Sequence, residues 1–256
     1  MKNNDMEISK TKASLLATLS SKKMRVKHGI FLVEGTKCVT DTLGAFPLVN
    51  LIATEDWLKC HEMKINIPED IVLTASDEVM KKISSLSTPP EVIAVFKLPE
   101  ENDETFTLQD DSLYLMLDGV QDPGNLGTII RTADWFGIET VICSKDTADI
   151  YNPKTIQATM GSLKRVKVIY ADLPELLKRS KVGNVYGTLL NGENIFEKKL
   201  HSAGVIVMGN EGKGISEAVR CLITDPLFIP PSRVDAHPES LNVAIATAVV
   251  IAQFRK

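Results

Sequence analysis

Residues 113–133 read LYLMLDGVQDPGNLGTIIRTA, and this stretch decides the fold. Its first five residues form a short continuous apolar run, which is typical of a strand covered on both faces of a parallel sheet. A loop with three glycines and a proline follows. Apolar spacing then predicts a helix over 128–136 that carries Arg131 and ends at Gly137. A strand that leads through a glycine-rich loop into a helix is a frequent ligand-binding geometry in open α/β sheets.

The C-terminal half contains two further segments of this kind, each combining an apolar run with glycine or proline and polar residues. One covers 205–214, and the other runs from 228–230 to 239–243. Three such segments predict one composite site. A last helix over 242–254 is apolar on nearly every side, and we expect it to be buried.

Alternation of strands and helices after residue 112 predicts the α/β class, with a parallel sheet. The predicted strands lie at 113–117, 140–143, 166–169, 185–190, 205–208 and 227–229.

The N-terminal half has the pattern of a smaller α/β module. Its predicted strands are 30–35, 48–53 and 92–96, and its predicted helices are 36–43 and 76–83. An acidic stretch without apolar periodicity follows these elements. We therefore divide the chain into a domain at 1–97, a linker at 98–112 and a domain at 113–256.

Composition excludes several classes of protein. With 256 residues, 44% of them apolar, the chain is long enough for two globular domains. The longest apolar stretch, at 243–252, is shorter than the roughly 20 residues that span a bilayer, so we expect no membrane partner. The four cysteines lack zinc-ligand spacing, which predicts reduced, buried thiols, no metal and a cytoplasmic location.

Charge is distributed unevenly along the chain. The net charge is −4, but residues 1–40 contain eight basic and three acidic side chains. A local basic patch attracts phosphate whatever the total charge is. From charge alone, a nucleic-acid surface and an ordinary solvated helix face remain equal alternatives.

Two common phosphate-binding motifs are excluded. In the segment 209–216, a P-loop would need lysine directly after the second glycine of its pair, where this chain has Ile215. A dinucleotide fingerprint would need a third glycine where this chain has Glu217.

The chain resembles the SpoU/TrmH-type RNA 2′-O-ribose methyltransferases of the SPOUT superfamily. Residues 118–133 are similar to the first motif of that family and 208–214 to the second, while 229–230 with 239–244 are similar to the third. In the first half, 25–35 is similar to the start of the family's substrate-recognition domain, a ribosomal-protein-like RNA-binding fold.

The resemblance implies a C-terminal domain whose chain end is threaded into a deep trefoil knot. It also implies S-adenosylmethionine as co-substrate, held mainly by backbone groups of the knot loops. The cofactor contacts that it assigns are Gly209, Ile229 and Leu241. For Ile229 and Leu241 outside their motif, ordinary core packing is the alternative.

Catalytic roles are likewise assigned by the resemblance. Arg131 is the catalytic residue, either as a general base or by positioning phosphate and hydroxyl groups; arginine is almost always protonated, which favours positioning. Asn125 and Asn242 orient their neighbours. Glu211 orients a hydroxyl or arginine, or is simply a carboxylate at a helix start. Ser240 contacts substrate or caps the last helix.

The resemblance further implies structured RNA, ribosomal or transfer, as substrate and a homodimer as the assembly, with Arg25 and Lys27 as RNA contacts. Residues 231–239 depart from the family pattern, because this loop is longer and lacks glycine. Two other functions remain open. One is a non-catalytic RNA-binding or ribosome-assembly factor, and the other is a knotted methyltransferase that acts on a base.

Overall fold

A computed structural model describes residues 7–61, 67–100, 106–180, 182–233 and 240–256. The chain forms two compact units. The first comprises Met1–Glu100 and Tyr151–Lys164, and the second comprises Glu101–Ile150 and Arg165–Lys256.

Ten helices and ten strands are described in these residues. The helices are α1 (Lys10–Ala17), α2 (Lys22–His28), α3 (Thr36–Thr42), α4 (Glu55–His61), α5 (Asp77–Ile83), α6 (Pro123–Trp135), α7 (Pro153–Thr159), α8 (Leu173–Arg179), α9 (Glu217–Arg220) and α10 (Val243–Phe254). The strands are β1 (Ile30–Glu34), β2 (Leu48–Ala53), β3 (Val72–Thr74), β4 (Val92–Lys97), β5 (Leu113–Asp118), β6 (Thr140–Ser144), β7 (Lys167–Ala171), β8 (Val185–Asn194), β9 (Gly204–Gly209) and β10 (Asp225–Phe228).

The first unit is built on a mixed four-stranded sheet with the order β1-β4-β2-β3. β4 is antiparallel to both of its neighbours, and β2 is parallel to β3. Apolar side chains of the sheet pack against α1 and α5, where Leu16 and Met80 are buried beside Ile52 and Ile93. Burial of each such side chain contributes about 1.5–3 kcal/mol.

Residues 151–164 pack with the first unit, although the sequence places them in the domain at 113–256. The ring of Tyr151 lies 4.7 Å from that of Phe31, and Gln157 Nε2 donates to the carbonyl of Glu34 at 2.9 Å. The ring contact and the side-chain hydrogen bond therefore hold this segment against β1. Residues 101–105 of the predicted linker lie outside the described residues.

The second unit contains the predicted parallel sheet, with six strands in the order β10-β8-β9-β5-β6-β7. All six residues of β5 are buried, as expected for a strand covered on both faces. Tyr114 and Met116 pack in one apolar cluster with α8 and α9. Since side chains alternate along a strand, Leu115 and Leu117 face the opposite layer.

Helix α6 begins at Pro123, five residues before its predicted start. The Asp122 side chain accepts a hydrogen bond from the backbone of Asn125 at 2.8 Å, and proline is well suited to a first helical position. The glycines of this segment had suggested a loop. Because of the N-cap, the same residues instead form the first turn of the helix. Asn125 therefore lies in the first turn of α6.

Helices α6 and α10 pack side by side and run in the same direction. At their N-terminal ends Asn242 Nδ2 donates to Asn125 Oδ1 at 3.0 Å. At their C-terminal ends the Arg255 guanidinium donates to the carbonyls of Phe136 and Gly137 at 2.9 and 3.1 Å. The expectation that α10 is wholly buried is wrong, because Ile245 is 55% exposed.

The predicted knot depends on how the chain passes from β10 to α10. Residues 234–239 of that connection, including His237, lie outside the described residues, so the knot and the enlarged loop stay predictions. Among the described residues, no helix is both long and apolar enough to cross a bilayer.

The cysteines do not all match their prediction. All four are free thiols, but only Cys38 and Cys143 are buried, whereas Cys60, in the last turn of α4, and Cys221, directly after α9, are exposed. Burial raises the pKa of the Cys143 thiol well above its ordinary value.

Candidate active site at the carboxyl ends of the parallel strands

The ends of three neighbouring strands form the base of the candidate site. Asp118 at the end of β5 is paired with Gly209 at the end of β9. On the other side, the backbone N–H of Gly119 donates to Ser144 Oγ, at the end of β6, at 2.8 Å. Because all the strands are parallel, the loops that follow them emerge at one edge of the sheet.

A chain of hydrogen bonds joins three predicted catalytic residues above this edge. Asn242 Nδ2 donates to Asn125 Oδ1 at 3.0 Å, and Asn125 Nδ2 donates to Glu211 Oε1 at 2.9 Å. Each residue comes from a different motif of the sequence. The structure therefore brings the three segments together, as their shared pattern predicts.

The direction of this chain is set by its ends. Asn242 Oδ1 accepts from the backbone N–H groups of Ala244 and Ile245 and caps α10, so its amide nitrogen faces Asn125. The carboxylate of Glu211 only accepts, so Asn125 must turn its nitrogen to it. Each asparagine is thus a donor on one side and an acceptor on the other.

Two helix starts meet in this chain of hydrogen bonds. Asn125 is in the first turn of α6, and Asn242 is the N-cap of α10. Asn125 therefore links the starts of both helices to Glu211. Because Asn242 already caps α10, the interpretation of Ser240 as that cap is wrong; Ser240 is exposed two residues earlier.

Arg131 lies further along α6, six residues and about 9 Å of helix rise beyond Asn125. Its side chain is exposed. No hydrogen bond or ion pair joins it to any other residue that the structure describes. The guanidinium is therefore available to an anionic ligand, since it presents a planar set of N–H donors without competition from a carboxylate.

The predicted cofactor residues lie around the same edge. Gly209 is buried at the end of β9, Ile229 directly follows β10 and is half-buried, and Leu241 is 50% exposed next to Asn242. Apolar side chains left open beside polar backbone ends suit a ligand with both an apolar ring and hydrogen-bonding groups. Within the described ranges, no group of three His, Cys, Asp or Glu side chains is placed to hold a metal ion.

Gly209 is required for a reason other than space for a ligand. A Cβ built on it would lie 2.4 Å from both the Gly214 carbonyl carbon and the Ile215 nitrogen. The loop after β9 folds back over this residue, so its own backbone fills the space.

Sequence reasoning missed two residues that shape the site. The carboxylate of Asp118 accepts from the backbone N–H of Ser216 at 2.7 Å, and Asn210 Nδ2 donates to the Gly119 carbonyl at 2.7 Å. Their signal in the sequence was position beside a glycine: Asp118 directly follows the predicted strand 113–117, and Asn210 stands two residues after the predicted strand 205–208.

The two predicted RNA contacts differ in the structure. Arg25 is only 2% exposed, and its Nη1 donates to the carbonyls of Leu19 and Ser20 at 2.7 and 2.8 Å. The prediction that Arg25 contacts RNA is therefore wrong, because this guanidinium holds the turn between α1 and α2. Lys27 is exposed on α2.

Comparison with known proteins identifies the family. Residues 112–252 match the SpoU rRNA Methylase family, and residues 11–94 match the MRM3-like substrate binding domain. The chain belongs to the SpoU rRNA methylase family. The segments with family resemblance, including the hydrogen-bonded residues of the candidate site, lie within these two matches.

Full-length relatives agree with this assignment. The 23S rRNA (guanosine(2553)-2′-O)-methyltransferase RlmP of Bacillus subtilis (strain 168) is 33% identical over 245 residues, with 93% of each chain covered. A TrmH-family protein from Porphyromonas gingivalis has a TM-score of 0.85 and 38% identity, covering 97% of this chain and 98% of that one. The AdoMet-bound rRNA methyltransferase from Sinorhizobium meliloti has a TM-score of 0.84 and 29% identity, covering 97% of both. The predicted family and fold class are confirmed.

Replacing Gly209 by alanine tests the packing of this SpoU-family loop. Because the added Cβ meets backbone and not the end of a flexible side chain, we expect Gly209→Ala to lower the free energy of unfolding by about 1–3 kcal/mol. Urea denaturation measures this difference. Gly183→Ala is the control, since its Cβ meets nothing within 4 Å. Equal stability of Gly209→Ala and the wild type would contradict the packing.

Proposed function

We propose that this chain transfers the methyl group of S-adenosylmethionine to a ribose 2′-hydroxyl of ribosomal RNA. The observation that carries the proposal is the hydrogen-bonded chain of Glu211, Asn125 and Asn242, which unites three family motifs. Arg131 is exposed further along the same helix as Asn125. The Bacillus subtilis relative is named as an rRNA 2′-O-methyltransferase, and the Sinorhizobium meliloti relative is described with AdoMet bound.

The methyl donor fits the edge formed by Gly209, Ile229 and Leu241. Main-chain groups at the ends of β9 and β10 would hold its polar atoms. The half-exposed side chains of Ile229 and Leu241 would cover its apolar parts and become buried themselves. When bound, the donor supplies a methyl group on a positively charged sulfur, which needs no metal or added acid for activation.

The residues of this chain then have to orient the acceptor oxygen, whose bond to the methyl carbon forms as the carbon–sulfur bond breaks and whose proton passes to solvent water. We assign Arg131 as the catalytic residue that binds the phosphate next to the target ribose and steers the 2′-oxygen toward the methyl group. A protonated guanidinium suits that task better than it suits proton abstraction. Asn125, Asn242 and Glu211 keep the loops around the reacting atoms in one arrangement, and we assign exposed Ser240 to a contact with the substrate.

Substitution of Arg131 tests this assignment. Because Arg131 is exposed and bonded to no other described residue, we expect Arg131→Ala to lower kcat for methyl transfer at least about 100-fold, with an unchanged melting temperature. Tritium transfer from labelled S-adenosylmethionine to rRNA from a strain that lacks the gene measures the rate, with nucleoside mass spectrometry of the product. Arg220→Ala, on the exposed side of α9, is the control.

Full turnover by Arg131→Ala would refute the role of this side chain. A base-methylated nucleoside would refute ribose as the acceptor. RNA binding by a wild type that transfers no methyl would instead support the non-catalytic alternative.

We propose that RNA is held by the exposed face of α2. Lys22, Lys23 and Lys27 project from this helix around Val26, which is 66% exposed, and no acidic residue belongs to the helix. None of these lysines forms an ion pair with another described residue. Three of the eight basic residues of the first 40 thus lie together on one exposed helix of the substrate-binding unit, which favours a phosphate backbone over a merely solvated face.

Lys27→Ala and Arg25→Ala are expected to change different properties: the first changes RNA binding and the second changes stability. Lys27→Ala weakens binding to RNA of any sequence. It also makes the negative slope of log K against log salt concentration shallower by about 1, and it leaves the free energy of unfolding unchanged. Arg25→Ala removes the hydrogen bonds that this buried guanidinium donates to the carbonyls of Leu19 and Ser20, and it lowers the free energy of unfolding by about 1–3 kcal/mol. Fluorescence anisotropy at several salt concentrations and urea denaturation measure the two quantities. A destabilised Lys27→Ala with an unchanged salt slope would contradict the assignment.

We propose a homodimer formed through α6 and α10. Ile245 is 55% exposed on α10, half-buried Val249 follows one turn later, and Trp135 is 85% exposed at the end of α6. This face continues the row of Leu241 and adjoins Arg131, so a second copy would cover apolar surface and help to enclose the site.

We also propose the cytoplasm as the compartment, because all four cysteines are free thiols.

A charge on this face is expected to separate the subunits. Ile245→Asp would bury an unpaired carboxylate in the interface, so we expect a monomer by analytical ultracentrifugation. Leu190→Asp is the matched control, because Leu190 is 83% exposed and lies on β8 and not on either of the two helices. A dimer that survives Ile245→Asp unchanged would place the interface elsewhere.

A further inference from the structure

We infer that Asn210 is a positioning residue for the reaction, acting by setting where Glu211 meets Asn125. The inference rests on the proposed function, since it concerns how that site is held in its working arrangement. Asn210 follows the last residue of β9, and Glu211 is its neighbour in sequence.

The side chain of Asn210 closes the loop that contains Glu211. Its Oδ1 accepts from the backbone N–H groups of Gly212 and Lys213, both at 2.9 Å. Two backbone hydrogen bonds between Asn210 and Gly214, at 3.0 and 2.9 Å, complete the turn. The loop thus has a fixed local shape that depends only on its own atoms.

The other end of the same amide ties this loop to a neighbouring strand. Asn210 Nδ2 donates to the Gly119 carbonyl at 2.7 Å, while the Gly119 N–H donates to Ser144 Oγ at 2.8 Å. Gly119 has a φ of +75°, a conformation that favours glycine, so the peptide to which Asn210 is tied is itself held in place.

A second tie holds the far end of the loop. Asp118 Oδ2 accepts from the backbone N–H of Ser216 at 2.7 Å. The segment 210–216 is therefore fixed to the end of β5 at both of its ends. Glu211 lies between these ties, and its carboxylate receives the 2.9 Å hydrogen bond from Asn125 Nδ2.

These contacts separate two roles within one side chain. Asn210→Asp keeps an oxygen for the Gly212 and Lys213 amides but turns a second oxygen toward the Gly119 carbonyl. The substitution preserves the turn and breaks the tie to β5, because two acceptors cannot hydrogen-bond each other. The fold should survive, since the backbone bonds to Gly214 and the Asp118 tie remain.

The test is a double-mutant cycle in the full-length protein with rRNA as substrate. We expect Asn210→Asp to lower kcat for methyl transfer at least about tenfold, and to add less than about twofold in a Glu211→Ala background, because Asn210 acts through Glu211. Asn152→Asp is the control: it caps α7 through Oδ1 in the first unit, and aspartate caps a helix equally well. A full wild-type rate in Asn210→Asp, or fully multiplicative losses in the double variant, would overturn the inference.

A second readout does not depend on activity. The side-chain amide resonances of Asn125 in a ¹⁵N-labelled protein report directly on its bond to Glu211. We expect Asn210→Asp to shift them toward their position in Glu211→Ala, whereas Asn152→Asp leaves them unmoved. An unchanged Asn125 resonance in Asn210→Asp would overturn the inference, whether or not the wild type is active. An inactive wild type would refute only the proposed function.

Discussion

The site depends on the parallel pairing of β5 with β9. Their last paired residues, Asp118 and Gly209, are far apart in sequence but adjacent at the edge of the sheet. Because both strands end there, the helix after one and the loop after the other start side by side, and the side chains of both can meet. α10 then adds the third motif by packing along α6 in the same direction.

The proposed chemistry asks for little charge from the protein. The hydrogen-bonded chain contains two neutral amides and the carboxylate of Glu211, Asp118 adds a second carboxylate at the strand end, and the guanidinium of Arg131 is exposed on α6. The charge that activates the reaction is brought by the donor, so the protein mainly has to supply geometry. Many of the hydrogen bonds described above serve that purpose, because they hold the loops of the site to the ends of the strands.

Much of this arrangement could be predicted from the sequence. Continuous apolar runs such as that of β5 indicate buried parallel strands, and the motif order placed Asn125, Glu211 and Asn242 in one site. The start of α6 was missed because glycine content outweighed the capping signal of Asp122. Burial of Arg25 could not be predicted, since a positive charge indicates a surface unless nearby carbonyls accept its hydrogens. For α10, apolar composition alone does not distinguish a core from a face open to solvent.

The two asparagines of the hydrogen-bonded chain have a consequence for the lifetime of the protein. Spontaneous loss of ammonia converts asparagine to aspartate, which replaces the only donor in each side chain by an oxygen. In Asn125 or Asn242, that change would set oxygen against oxygen in the centre of the site while leaving the core untouched. Deamidation at either position would therefore impair the site without disturbing the packing of the protein.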